Sequence, residues 1–218
     1  MNMTGFNPTE AQQQLREFME YGTRAYEKAA NSLNVLETNL YNNWFSPKAV
    51  EFGIDRISRL SLIEKDINTL YTSMYKSGVD AYNKLATSNG ASTIAYEGPE
   101  EEFYYLSDNF RDTHTATFKE ASDDGTVGMD VEKVKLARDE YLNKMKELEY
   151  FISETPMNIA FFDPSNELQT TFKSKITKIV NYIKETIDHC FKDIDDAIDT
   201  ETNIVTSSQQ SAASVLSE

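Results

Sequence analysis

Two histidines and one cysteine are the side chains of this 218-residue chain best suited to nucleophilic or metal chemistry. His189 and Cys190 are adjacent, but neighbours on a helix point about 100° apart, so they cannot form a nucleophile and base pair. Cys190 falls on an apolar stripe and reads as a core residue. His189 and Asp193 are one helical turn apart and make half a metal site, with Asp195, Asp196 and Asp199 nearby. His114 lies far away in the chain, and the acids read as a solvated face. The loop from Glu120 to Glu132 carries Asp124-Gly125, which echoes the fifth and sixth positions of a calcium loop. Counting from Gly125 puts Val131 at the twelfth position, where calcium needs a bidentate glutamate, and the pattern fails. The sequence has no glycine-rich phosphate loop, no nucleophile elbow and no pair of cysteines. The expectation is a protein that is not an enzyme and binds neither cofactor nor metal.

The net charge of -15 is unevenly spread. Residues 1–90 hold 9 Lys+Arg against 10 Asp+Glu, which leaves 12 against 26, a balance of -14, for residues 91–218. Such an acidic second half repels phosphate backbones and anionic lipid, which argues against nucleic acid and membrane surfaces as partners. No apolar run approaches the roughly 18 residues of a membrane span. The start, Met1 to Phe6, lacks the basic and apolar regions of a cleavable signal peptide.

Side chains that could act in recognition sit on a helical framework. Ala11, Leu15, Phe18, Gly22, Ala25, Ala29, Leu33, Leu36 and Leu40 advance in steps of three and four, one stripe down a helix over about 8–42. Gly53, Ile57, Leu60, Ile63, Ile67, Leu70, Met74, Gly78, Ala81 and Leu85 repeat the pattern over about 47–88. Asn7-Pro8 and Ser46-Pro47 read as N-caps followed by first-turn prolines, and Ser88-Asn89-Gly90 reads as a C-cap. Between the stripes lies Asn43-Trp44-Phe45-Ser46-Pro47, with the only tryptophan. The chain is therefore predicted to go up, turn at Trp44 and come back. Trp44 either closes the end of the core or walls a recognition groove, and adjacent Phe45 favours the second, because two neighbouring aromatics at a turn do not both point inward easily.

The second half repeats the plan. Val134, Tyr141, Met145, Leu148 and Ile152 form a shorter stripe, Phe161-Phe162-Asp163-Pro164 another aromatic turn, and Leu168 to Ala197 a long amphipathic helix ending near Asp199. Pro47 and Pro164 lie 117 positions apart, which suggests two degenerate copies of one hairpin. The organisation expected is a helical hairpin at 1–90, a linker with a short helix opened by Pro99 at 91–128, a second hairpin at 129–200, and a disordered Ser, Gln and Ala-rich tail at 201–218. Two hairpins, each with one apolar stripe, bury it on each other, so the fold class is all-α, an elongated antiparallel four-helix bundle.

A helix, a turn built on Trp44-Phe45-Ser46 and a second helix within about one hundred residues resemble the WXG100 (ESAT-6-like) proteins of type VII secretion. Ser46 stands where that motif has glycine, and Phe161-Phe162-Asp163 occupies the motif position of the second copy. The resemblance implies a bundle of two hairpins, here fused in one chain, exported intact without a cleaved signal peptide, with the secretion translocase ATPase as partner. It also implies an export signal of Tyr-x-x-x-Asp/Glu type. Tyr96 with Glu100, Tyr104 with Asp108, and Tyr150 with Glu154 have the spacing, and Tyr104 with Asp108 is best placed after the Trp44 hairpin. Phe191 with Asp195 is an aromatic variant near the end of the last helix. Such a signal needs an aromatic knob and an acid one turn apart on one face. The expected role is effector, structural component or carrier; the alternative is a cytoplasmic adaptor or chaperone holding a partner helix, or a second copy of itself, in an apolar groove.

Overall fold

In the computed structural model the chain is an all-α, elongated four-helix bundle of two hairpins, with one two-stranded ribbon. The structure describes residues 6–96, 118–156 and 167–216. Helix α1 spans Pro8–Asn43, followed by strand β1, Trp44–Phe45. The return rod has three parts, α2 (Pro47–Phe52), a π-helical turn (Gly53–Ile57) and α3 (Ser58–Ser88). Strand β2 (Gly128–Met129) precedes α4 (Val131–Ser153), and α5 spans Glu167–Leu216.

The caps form as their residue types dictate. The Asn7 side chain accepts from the Glu10 N–H at 3.3 Å, and Ser46 Oγ accepts from the Ala49 N–H at 3.1 Å. Each satisfies a first-turn donor that the helix itself cannot reach. The rod ends at Ser88, where Gly90 takes a φ of 66° and the Ala91 N–H closes on the Ala86 carbonyl at 2.8 Å. A left-handed residue past the last turn is where glycine carries no steric penalty.

Inter-helix contacts set the directions. The Asp130 N–H donates to the Asn43 carbonyl, and Tyr21 Oη donates to the Phe151 carbonyl, so α4 runs antiparallel to α1. Arg138 pairs with Asp195 and Lys184 with Glu149, so α5 runs antiparallel to α4. Helix α1 touches α3 and α4, and α5 touches the same two from the other side, a square with α1 and α5 on one diagonal. The main core runs the length of this square, from Phe18, Tyr71 and Ile152 through Ile63, Ile67 and Ile183 to Leu40, Trp44 and Ile198. Below it a second cluster packs between α1 and α3, where Phe6, Ile94 and Tyr96 cover Leu15, Val79 and Tyr82.

Close approach is made by aromatic rings entering glycine sites. A Cβ on Gly22 would lie 2.6 Å from Tyr71 Cβ and Cγ, and one on Gly53 would lie 2.6 Å from Phe118 Cδ2. The buried Tyr71 hydroxyl lies 2.6 Å from Thr155 Oγ1.

Two expectations meet a different or incomplete picture. Residues 201–216, expected as disordered, continue α5 as helix. A helix already nucleated and packed through Ile198 propagates without paying for a new nucleus. The hydroxyls of Thr200, Thr202 and Thr206 bond back to the carbonyls four residues earlier. The short helix expected from Pro99 falls mostly outside the described residues, and its end, 118–120, is irregular. The Phe161-Phe162-Asp163-Pro164 turn and His114 also lie outside them.

Candidate recognition site at the tryptophan end

Trp44 is 1% exposed and belongs to the core, its ring tilted against Phe52 at a centroid distance of 5.5 Å. Phe45, its neighbour on a strand, points the other way and is half-buried. The dipeptide is more than a turn. Trp44 pairs with Met129 and Phe45 with Gly128 in an antiparallel ribbon, so the start of the second hairpin clips the reversal of the first. Ser46 is buried as the cap of α2.

The reversal is packed against the open end of the second hairpin. A cleft of about 250 Å³ lies there, lined from the return rod by Lys48, Glu51, Phe52, Asp55 and Arg56 and from α5 by Asp193, Asp196, Ala197 and Thr200, with Trp44 at its base. Arg56 and Asp193 form an ion pair across it. The Trp44 indole N–H is buried without an acceptor.

The aromatic and acidic residues singled out in the sequence distribute differently. Phe191 and Asp195 share a face of α5 turned toward α4: Phe191 packs on Tyr141 at 6.3 Å, and Asp195 pairs with Arg138. They lie beside the cleft; Asp193 and Asp196 line it. Tyr104 and Asp108 lie outside the described residues, as does Glu100. Tyr96 packs against Tyr75 at the far end, and Tyr150 is exposed near the base of α4.

A second cleft of about 220 Å³, between α3 and α5, collects Arg56, Arg59, Tyr182, Glu185, His189 and Cys190. Cys190 is buried, and its thiol is pushed up to about 12 by desolvation and by Asp193, with Arg56 opposing. A thiol held protonated is a poor nucleophile and a poor ligand. No group of three or more His, Cys, Asp or Glu able to hold a metal ion occurs among the described residues. In the loop before β2, Asp124 is held down at about 2 by hydrogen bonds from Ser122 and Thr126, so its carboxylate is spent on the turn itself.

Sequence reasoning missed Glu64, which is buried and whose Oε1 has no hydrogen-bond partner. Desolvation pushes its carboxyl up to about 8. The signal was present: Leu60, Glu64, Ile67 and Tyr71 are spaced four, three and four, a ridge on the buried side of α3 that a list of apolar letters passes over. It also missed Lys48, Glu51, Asp55 and Arg56 of the return rod, because exposed charges on a helix show no spacing that marks a cleft wall.

The chain matches no family model, no curated protein and no solved structure.

Proposed function

We propose that this chain is a WXG100-type helical-bundle protein, exported by a type VII secretion system as an intact chain and acting as effector, structural component or carrier, without catalysis. The observation that carries this reading is the reversal of two long helices at Trp44-Phe45-Ser46, gathered with an acidic stretch in the middle of α5 around one cleft. Recognition by a translocase ATPase needs a feature that survives folding, and the end of a rigid bundle supplies one. Among the described residues the large exposed apolar side chains are spread out: Val35 on α1, Ile54 in the π-helical turn, Val127 in the loop before β2, Leu136 and Tyr150 on α4 fourteen positions apart, and Ile204 on α5. That scatter supports the secretion reading over an adaptor with a continuous apolar groove.

The test follows the full-length chain in cultures of its source cells with the type VII translocase ATPase present or deleted. Intact protein is expected in the medium only when the ATPase is present, and Phe45→Ala is expected to lower export while circular dichroism stays normal. Retention inside the cells with an active ATPase overturns the reading, and co-purification with a partner helix would then point to the adaptor.

A further inference from the structure

Helix α5 runs on past the bundle at the tryptophan end. The ion pairs of Arg56 with Asp193 and of Arg138 with Asp195 fix its register against its two neighbours. From those pairs the return rod begins nine residues back, at Pro47, and α4 begins seven residues back, at Val131. Counted the opposite way along α5, both neighbours run out at the level of Thr202. The helix continues to Leu216, an overhang about 21 Å long, and Thr202 and Ile204 on it are exposed.

Two features point to what covers the overhang. Ile183, Ile187, Cys190, Ile194 and Ile198 are buried along α5 in steps of four and three. The same steps continue through Thr202, Val205, Gln209, Ala212 and Leu216, so the packing stripe carries on beyond the two helices that it packs against. The second feature is charge. Acids crowd the turns just before the overhang, at Asp193, Asp195, Asp196, Asp199 and Glu201, yet no charged residue occurs from Thr202 to Ser217 in a chain that is 26% charged with a net -15. Two copies of so acidic a protein repel each other through their charged faces. Along the overhang they approach with no like charges opposed. Its Thr, Ser, Asn and Val residues are weak helix formers, so four turns of them gain from a packing partner.

We infer that the overhang of α5 pairs antiparallel with the overhang of a second copy of this chain, giving a tail-to-tail dimer about a two-fold axis at Gln209. The stripe is self-complementary in that register. Thr202 comes level with Leu216 of the second copy, Val205 with Ala212 and Ala213, and Gln209 with Gln209, so large positions meet small ones and an amide meets its like. Charge selects the direction. A parallel pair would set the acids from Asp193 to Glu201 against their counterparts at a helix spacing of about 8–10 Å. The antiparallel pair holds the two Asp199 positions about 30 Å apart, several screening lengths at physiological salt. The inference stands apart from the export reading and is tested without it.

Sedimentation of the full chain over a range of concentrations tests the dimer. The mass is expected to be that of the 24.8 kDa monomer at about 1 µM and to approach twice that by about 500 µM, as suits an interface smaller than the standard size. Val205→Asp, on the stripe, is expected to weaken the dimer at least tenfold, by roughly the cost of burying a charge. Ser207→Asp adds the same charge at an exposed position on the far side of the helix, and is expected to change the dimer by less than about threefold. A chain that stays monomeric at about 500 µM overturns the inference. So does a dimer that survives Val205→Asp, or an equal loss with Ser207→Asp, which would mean a general effect of charge or of helix melting. The direction is read by mild oxidation of single-cysteine variants, the native Cys190 being buried. Gln209→Cys is expected to link two chains. Thr202→Cys is not, because its two copies stand about 21 Å apart in the antiparallel pair, far beyond the roughly 7 Å that a disulfide spans between Cα atoms. Linking of Thr202→Cys as readily as Gln209→Cys would mean a parallel pair and overturns the inference.

Discussion

At the scale of single residues, Glu64 is a costly choice, a carboxyl buried with an unpartnered Oε1. It stands on the buried ridge of α3, and its charge also raises the Tyr26 and Tyr141 hydroxyls beyond what their own burial does. A carboxyl with an ordinary value of 4.5 that sits at about 8 when folded keeps its proton in the bundle where the unfolded chain has lost it. Stability from this group is therefore greatest below about pH 4.5 and falls as pH rises to about 8. At 1.36 kcal/mol per pH unit, discounted for relaxation around the site, the loss is on the order of 2–4 kcal/mol. Glu64→Gln keeps the shape and removes the titration. The variant is expected to melt roughly 5–10 °C above the parent at pH 8.5 and close to it at pH 4.5. A difference between the two proteins that does not change with pH would show that Glu64 does not hold its proton in the fold.

Trp44 illustrates how a residue can be core and site together. Its ring packs in the core on Phe52, and it is one of the residues that line the cleft. Truncating it to alanine would cost about 3–5 kcal/mol in packing, so loss of function there would not separate the two roles. Phe45, half-buried on the opposite face of the strand, is the better probe, which is why the export test uses it.

At the scale of elements, the bundle is held at fixed separations by rings seated in glycine notches. Gly22 receives the Cβ and Cγ of Tyr71, atoms next to the backbone that cannot swing away. Gly22→Ala gains about 0.5–1 kcal/mol in helix propensity but drives α1 and α3 apart, at about 1–3 kcal/mol. The net expectation is a melting temperature lower by roughly 3–6 °C, and an unchanged or higher value would mean that Tyr71 is not seated as described. The π-helical turn at Gly53–Ile57 belongs to the same scale. Its glycine faces Phe118, and its Asp55 and Arg56 line the cleft, in keeping with the frequent occurrence of such turns at functional positions.

At the scale of the whole molecule, α5 at 50 residues is about 75 Å long and outlasts the bundle. Ile194, Ala197 and Ile198 are buried, whereas Thr202, Asn203, Ile204 and Thr206 are exposed. Removing residues 201–218 is therefore expected to leave the melting temperature within about 2 °C of the full chain, while far-ultraviolet ellipticity falls by the contribution of 16 helical residues, Glu201 to Leu216. A large drop in melting temperature would mean that this segment packs on the bundle.

The sequence by itself determined the long helices, the last of them only as far as Asp199, with their inward stripes and the caps at Asn7, Ser46 and Gly90. Those features depend on neighbours three and four positions away and on local hydrogen bonds at Asn7, Ser46 and Gly90, all of which the order of residues specifies. It also determined that two single-striped hairpins must bury their stripes on each other. What only the tertiary structure decided is which ends meet. The clip of Trp44-Phe45 onto Gly128-Met129 joins positions more than eighty residues apart, and two short strands of two residues carry no periodic signal. The cleft, with acids from the return rod on one side and Asp196 on the other, follows from that alignment. Exposed charges obey no packing period, so their meeting across a gap is settled by how the rods dock and not by where they stand along the chain.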